Sequence, residues 1–115
     1  MVSISTHILD LAKGQPAGGV RVRILAVGEE RKELGSVLTN KDGRTDTPFE
    51  IDTSKFGDQY ELHFEIGPYF QGNGLEPVEP PFLDTIISRF RVLDSENYHV
   101  PLLVSPWGYS VYRGS

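Results

Sequence analysis

The sequence feature that most constrains the fold is an alternation of apolar and polar residues with a period of two. It is clearest in the segments SISTHIL, VRVRILAV, YELHFEI and IISRFRV. An amphipathic helix would instead repeat its apolar residues at every third or fourth position. Period-two alternation is typical of β-strands with one buried face and one face turned to solvent or to a partner. The chain is therefore predicted to consist mainly of β-strands.

Turn-forming residues divide these segments into short strands. KGQPAGG separates the first two, and the Asp-Gly pair in NKDGR is a hairpin signal. The Gly- and Pro-rich stretch GPYFQGNGLEPVEPPF has room for one short helical turn, near Pro68 to Gln71. Seven or eight short strands with frequent turns predict an all-β sandwich of two antiparallel sheets, and we expect a single domain over residues 1–115.

Composition narrows the classes of partner and chemistry. The 115 residues carry a formal net charge of −5, which argues against nucleic acid or an anionic membrane as the main partner. There is no cysteine, so thiol nucleophiles and disulfides are excluded. The first residues lack the features of a signal peptide, and no apolar run is long enough to span a membrane. We therefore expect a cytoplasmic protein.

The chain ends in NYHVPLLVSPWGYSVYRGS, which predicts a β-hairpin with SPWG as its turn. In this register Val104 lies opposite Tyr109, and His99 lies opposite Gly114. The last residues would then return alongside a histidine. Chain ends are more often frayed than paired in this way, so the ending is itself a candidate functional segment.

The three histidines all fall in the polar phase of their strands. His63 stands between two glutamates and is predicted to be a solvated surface residue. His7 and His99 could be structural histidines or catalysts, and Arg44, directly after the Asp-Gly turn, could be an ordinary surface arginine. No carboxylate stands at metal-ligand spacing from these histidines, so neither a metal nor another cofactor is expected. Their positions in the sequence do not decide between structural and catalytic roles.

Three segments carry a resemblance to a known family. STHILDLAKGQPAGGVRV, TNKDGRTD and YHVPLLVSPWGYSVYRGS resemble the transthyretin-related 5-hydroxyisourate hydrolases of purine degradation. The resemblance covers essentially the whole chain, and its most specific part is the terminal YRGS, which the hormone-carrying transthyretins lack. It implies a transthyretin-like sandwich that hydrolyses 5-hydroxyisourate, the product of urate oxidation, to 2-oxo-4-hydroxy-4-carboxy-5-ureidoimidazoline.

The resemblance also implies the site and the assembly. His7, Arg44 and His99 would be catalytic, the imidazoles activating and orienting water and the guanidinium binding substrate oxygens and the developing oxyanion. The protein would be a metal-free homotetramer, a dimer of dimers, with its sites in the channel between the dimers. The residues expected to bind substrate are His7, Arg44, Tyr112, Arg113, Gly114 and Ser115.

Two hypotheses from other classes compete with hydrolysis. A transthyretin-like carrier would bind a thyroid-hormone-type molecule in the same channel. The polar side chains of His7, Arg44 and His99 would then line that channel and disfavour an apolar ligand. A purely structural sandwich domain would account for the strands and leave the YRGS ending without a role.

Overall fold

The computed structural model describes residues 1–73 and 79–114. Within these residues the chain forms nine strands and two short helices. The helices are α1 (Thr53–Phe56) and α2 (Gly67–Asn73), and α2 includes the predicted helical turn. Neither of these two helices in the described residues is long and apolar enough to cross a membrane. The strands are β1 (Val2–Asp10), β2 (Gln15–Pro16), β3 (Arg21–Val27), β4 (Arg31–Leu38), β5 (Phe49–Ile51), β6 (Gln59–Glu65), β7 (Thr85–Arg91), β8 (Asn97–Ser105) and β9 (Gly108–Val111).

The strands form two sheets, as predicted. One has the order β2-β1-β8-β9, with β5 paired to the start of β1, and the other has the order β4-β3-β6-β7. All pairs are antiparallel except β1 and β8, which run parallel over residues 3–10 and 97–104. The prediction of an all-β, two-sheet sandwich is confirmed, and one central pair departs from the antiparallel pattern. That pair is the one that positions the site.

Alternating residues of the strands build the core between the sheets. In β1, Ile4, Thr6 and Ile8 are buried, whereas Ser5 and His7, in the opposite phase, are only partly buried. Leu102 and Val104 of β8 are buried on the same side. Each large apolar side chain removed from water in this way contributes about 1.5–3 kcal/mol. The core therefore fixes which residues of β1 and β8 point outward.

The polar face of β6 differs from its prediction. Glu61 is 2% exposed and His63 is 8% exposed, so the expectation of a solvated surface histidine is wrong. β6 is a central strand, and the long side chains of Arg31 and Arg89, on β4 and β7, reach the Glu61 carboxylate across the face of the sheet. The Nε2 atom of His63 is 2.8 Å from Oε1 of the same carboxylate. The polar face of β6 is therefore covered by neighbouring side chains and is not exposed to solvent.

The C-terminal hairpin has the predicted register. Val104 pairs with Tyr109, and beyond the end of β9 an isolated bridge joins His99 to Gly114. Between the Leu102–Val111 pair and the His99–Gly114 bridge, the β8–β9 hydrogen-bond ladder is interrupted at Pro101. Proline has no N–H to donate, so a backbone hydrogen bond cannot form at this position. The chain nevertheless returns to β8, and the N–H of Gly114 donates to the His99 carbonyl at 2.7 Å.

Candidate active site

Parallel pairing of β1 with β8 brings His7 and His99 to one face. Ser5 pairs with His99, and His7 follows Ser5 by two residues, so both imidazoles stand on the outer face of the sheet. Both histidines are partly buried, whereas their neighbours Ile8 and Val100 point into the core. Two histidines about ninety positions apart in the chain thus become neighbours across a single strand pair.

A tight turn delivers Arg44 to the same place. The N–H of Ile8 donates to the Gly43 carbonyl at 2.8 Å, and an isolated bridge pairs His7 with Arg44. The side chain of Asn40 closes the turn, because its Oδ1 accepts from the N–H of Arg44 at 3.2 Å. Gly43 has φ +72°, and a Cβ there would collide with the carbonyl oxygen of Ile8. The predicted Asp-Gly turn therefore serves to dock Arg44 against β1.

Two adjoining clefts mark the outer face of β1 and β8. They have volumes of about 420 Å³ and about 350 Å³, and both are lined by His99 and Gly114. The larger cleft also contains Arg44, and the smaller one contains His7. The remaining lining residues of the larger are Ser3, Ser5, Asn97 and Tyr98, and those of the smaller are Leu9, Pro101, Leu103 and Tyr112.

The electrostatic environment favours neutral imidazoles. Burial is the main cause that lowers the pKa of His7 and of His99, and the Arg44 guanidinium lowers both further. A hydrogen bond to the backbone of Asp42 opposes this effect at His7, and His7 itself adds to the lowering at His99. Both rings are therefore uncharged at neutral pH and can accept a proton from water.

The C-terminal residues divide between two surfaces. Gly114 lies against His99, and Tyr112, 51% exposed, borders the smaller cleft. The guanidinium carbon of Arg113 instead lies 4.2 Å from the centre of the Tyr98 ring and lines a different groove, between β7 and β9. Within one chain, Arg113 is thus not brought to the clefts with the other predicted residues. Ser115 lies outside the described residues.

Sequence reasoning missed one residue of this site. The hydroxyl oxygen of Ser5 lies 2.9 Å from Nδ1 of His99. The alternation in SISTHIL already places Ser5 on the face of His7, so half of the signal was present. The other half, the register of β1 against β8, joins residues 94 positions apart and has no local signature.

These features define a transthyretin-like sandwich whose outer face carries two adjoining clefts with two histidines and an arginine between them. Sea bream transthyretin in complex with thyroxine has the same fold, with a TM-score of 0.82 over 96% of this chain and 93% of that one. At 22% sequence identity, this likeness speaks for the fold alone.

Family membership follows from closer matches. Residues 4–114 match the HIUase/Transthyretin family, and the chain belongs to this family. It is 47% identical over 114 residues to the 5-hydroxyisourate hydrolase of Deinococcus radiodurans, covering 97% of this chain and 95% of that protein. The structure of Klebsiella pneumoniae 5-hydroxyisourate hydrolase matches with a TM-score of 0.78 at 34% identity, over 98% of this chain and 99% of that one.

Proposed function

We propose that this protein hydrolyses 5-hydroxyisourate to 2-oxo-4-hydroxy-4-carboxy-5-ureidoimidazoline in urate catabolism, opening the six-membered ring at an amide. The relative from Deinococcus radiodurans carries the name of this activity at 47% identity over almost the whole chain. The observation that carries the proposal is the arrival of His7, Arg44 and His99 at two adjoining clefts on one sheet face.

In this proposed hydrolysis, His7, His99 and Arg44 have the following roles. A neutral imidazole of His7 or His99 takes a proton from water as the water oxygen attacks the amide carbonyl carbon. The carbonyl oxygen becomes negative, and the planar guanidinium of Arg44 donates hydrogen bonds to it. The carbon–nitrogen bond then breaks, and the proton held by the imidazole passes to the leaving nitrogen. Tyr112, Gly114 and Ser115 are proposed to bind the substrate beside these three residues. Arg113 lines a different groove within one chain, so its predicted contact with the substrate is left out of this proposal.

The test generates 5-hydroxyisourate with urate oxidase and follows its near-ultraviolet absorbance with and without the protein. We expect decay well above the spontaneous rate, unchanged by a metal chelator because the proposed reaction uses no metal. Decay at the background rate would refute the proposal. Loss of activity on chelation, with recovery on adding zinc, would refute its metal-free part.

The carrier hypothesis is not favoured. Transthyretin shares the fold at 22% identity, whereas the named hydrolases reach 47%. The clefts also present Arg44 and two histidines, polar groups that disfavour an apolar hormone. Thyroxine binding measured in the same preparation separates the two hypotheses, since a carrier would bind thyroxine and leave the decay rate of 5-hydroxyisourate unchanged.

A homotetramer, arranged as a dimer of dimers, is proposed as the working assembly. β7 and β9 are edge strands in the described structure, and each offers unpaired backbone groups to another chain. Large apolar side chains are exposed nearby, including Ile87 at 49% and Trp107 at 66%. The clefts are open on one chain, and a facing subunit would enclose them. Sedimentation at micromolar concentration tests this, and a fully active monomer would contradict it.

Two further parts of the proposal concern organisation and location. We propose a single domain over residues 1–115, supported by one continuous core that takes side chains from both sheets. Limited proteolysis that released a separately folded fragment would contradict it. The protein is also proposed to act in the cytoplasm, which cell fractionation would test.

A further inference from the structure

The His99 ring is held on two sides, and this constrains how it can meet a substrate. On the β1 side, Nδ1 lies 2.9 Å from the hydroxyl oxygen of Ser5. On the opposite side, Gly114 is so close that a Cβ built on it would lie 2.9 Å from Cδ2 of His99. Nδ1 and Cδ2 are the two ring atoms bonded to Cγ. The outer edge of the ring, with Nε2, therefore projects away from the strand.

These two contacts fix a torsion that is otherwise loose. Rotation about the Cβ–Cγ bond of histidine has a broad, two-fold profile, so an unsupported ring can turn over and exchange its Nδ1 and Cδ2 edges. Here a turned ring would place a carbon 2.9 Å from a hydroxyl oxygen and lose the hydrogen bond. On the other side Gly114 has no side chain that could bond to Nδ1 in exchange. Among the described residues, the observed orientation is the one that gives Nδ1 a side-chain partner, and this contact selects it.

We infer that Ser5 is a positioning residue for His99: its hydroxyl holds Nδ1 and thereby presents Nε2, in a single ring tautomer, to the cleft shared with Arg44. This inference rests on the proposed hydrolysis for its functional meaning. The ring nitrogen that faces the substrate is set by the hydrogen bond that the other nitrogen makes. Ser5 therefore acts through His99 and need not touch the substrate.

The test compares Ser5→Ala with Ser5→Thr, which keeps a hydroxyl and suits a strand. Ser36→Ala is the matched control, because the Ser36 hydroxyl likewise makes a side-chain hydrogen bond on a strand, where it accepts from Arg21 at 2.8 Å, and it lies in the sheet opposite the clefts. We expect Ser5→Ala to lower kcat about tenfold, equivalent to about 1.4 kcal/mol, and to change KM less than about twofold. Ser5→Thr should recover most of kcat, and Ser36→Ala should equal the wild type.

A second readout does not depend on turnover. The ring nitrogens of His99, labelled with ¹⁵N and assigned through the His99→Asn variant, report the tautomer and the pKa directly. In Ser5→Ala we expect the Nδ1 resonance and the pKa of His99 to shift while those of His7 change little. A fall in the pKa identifies Ser5 as the acceptor of an Nδ1 proton, and a rise identifies it as the donor to a bare Nδ1.

The outcomes separate this inference from the proposed function. If the wild type does not hydrolyse 5-hydroxyisourate, the function fails while the ring-nitrogen spectra still decide the contact. If the wild type is active and folded Ser5→Ala matches it in kcat, pH profile and His99 spectrum, the positioning role is overturned. Should Ser5→Ala fail to fold, Ser5→Cys decides, because it replaces the hydroxyl with a weaker thiol. A shifted His99 spectrum in Ser5→Cys supports the role, and an unchanged one opposes it.

Discussion

Replacing Glu61 by glutamine should destabilise the fold without touching the clefts. The Glu61 carboxylate is 2% exposed on the face of the other sheet. Arg31 donates to it from Nε at 2.9 Å and from another guanidinium nitrogen at 3.1 Å, and Arg89 donates from Nε at 2.9 Å. Hydrogen bonds from Arg31, then those from His63 and Arg89, outweigh burial and lower the pKa of Glu61 from 4.5 to about 2.

The pKa gives the size of the effect. A depression from 4.5 to about 2 corresponds to about 3 kcal/mol of preference for the charged form in the folded state. Side chains of both arginines are about half exposed, at 49% and 48%, so water rehydrates them when the carboxylate is lost. We therefore expect Glu61→Gln to lower the free energy of unfolding by about 2–3 kcal/mol at pH 7. Removing one partner of a fully buried ion pair typically costs more, about 3–5 kcal/mol.

The dependence on pH distinguishes this cause from a packing defect. The folded-state pKa is depressed, so the stabilisation is complete above the unfolded value near 4.5 and is lost as pH falls toward about 2. Urea unfolding at pH 7 and at pH 2–3 should show a large gap between wild type and Glu61→Gln that closes in acid. Asp58→Asn, which breaks an exposed pair with Arg91, is the control and should cost under about 1 kcal/mol.

Either of two results would refute the reasoning about Glu61. One is a Glu61→Gln protein as stable as wild type at pH 7, and the other is a stability gap of equal size at pH 7 and at pH 2–3. Turnover of 5-hydroxyisourate by the folded variant should match wild type, because Glu61 belongs to the sheet opposite the clefts.

Three predictions concern the clefts. Arg44→Lys should lower kcat/KM on the order of a hundredfold, because an ammonium keeps the charge and lacks the planar pair of donors; near-normal turnover would make Arg44 an ordinary turn residue. Gly114→Ala should lower turnover while the melting temperature moves only a few degrees, because the added Cβ would stand 2.9 Å from Cδ2 of His99 and displace the ring; a fully active variant would show that the ring position is unimportant. Since the pKa values of His7 and His99 are lowered from 6.5, activity that needs neutral imidazole should persist as pH falls through 6.5 and decline only in more acidic solution; a pH–rate profile with its acidic limb above 6.5 would contradict these pKa directions.

Local patterns were sufficient to predict much of the fold. Period-two alternation assigned Ile4 and Ile8 to the core and His7 to the outer face, because side-chain direction in a strand depends only on the parity of position. The hairpin register that sets His99 opposite Gly114 also followed from one turn. These features involve residues close in sequence, so the sequence contains enough information to predict them.

Features that depend on strand order could not be predicted in this way. The parallel pairing of β1 with β8 joins residues about ninety positions apart, and the contact of Ser5 with His99 exists only through it. Burial of Glu61 likewise depends on arginines from β4 and β7, which reach a central strand from both sides. Alternation identifies a polar face, but the neighbouring strands determine whether that face is solvated or covered.

The two outer faces of the sandwich differ in how their charges are balanced, and this difference supports the proposed site on the β1-β8 face. On the β4-β3-β6-β7 face, Arg31 and Arg89 meet the carboxylate of Glu61, so opposite charges stabilise one another. On the β1-β8 face, the described lining of both clefts contains Arg44 and two histidines and no Asp or Glu. Burial, and after it the Arg44 guanidinium, lowers the pKa of both histidines there, and a partly anionic, oxygen-rich ligand would supply the negative charge that the cleft lining lacks. A histidine count cannot separate His63 from His7 and His99. Their nearest charged partners do, because the Glu61 carboxylate lies 2.8 Å from His63 and the Arg44 guanidinium lowers the pKa of the other two.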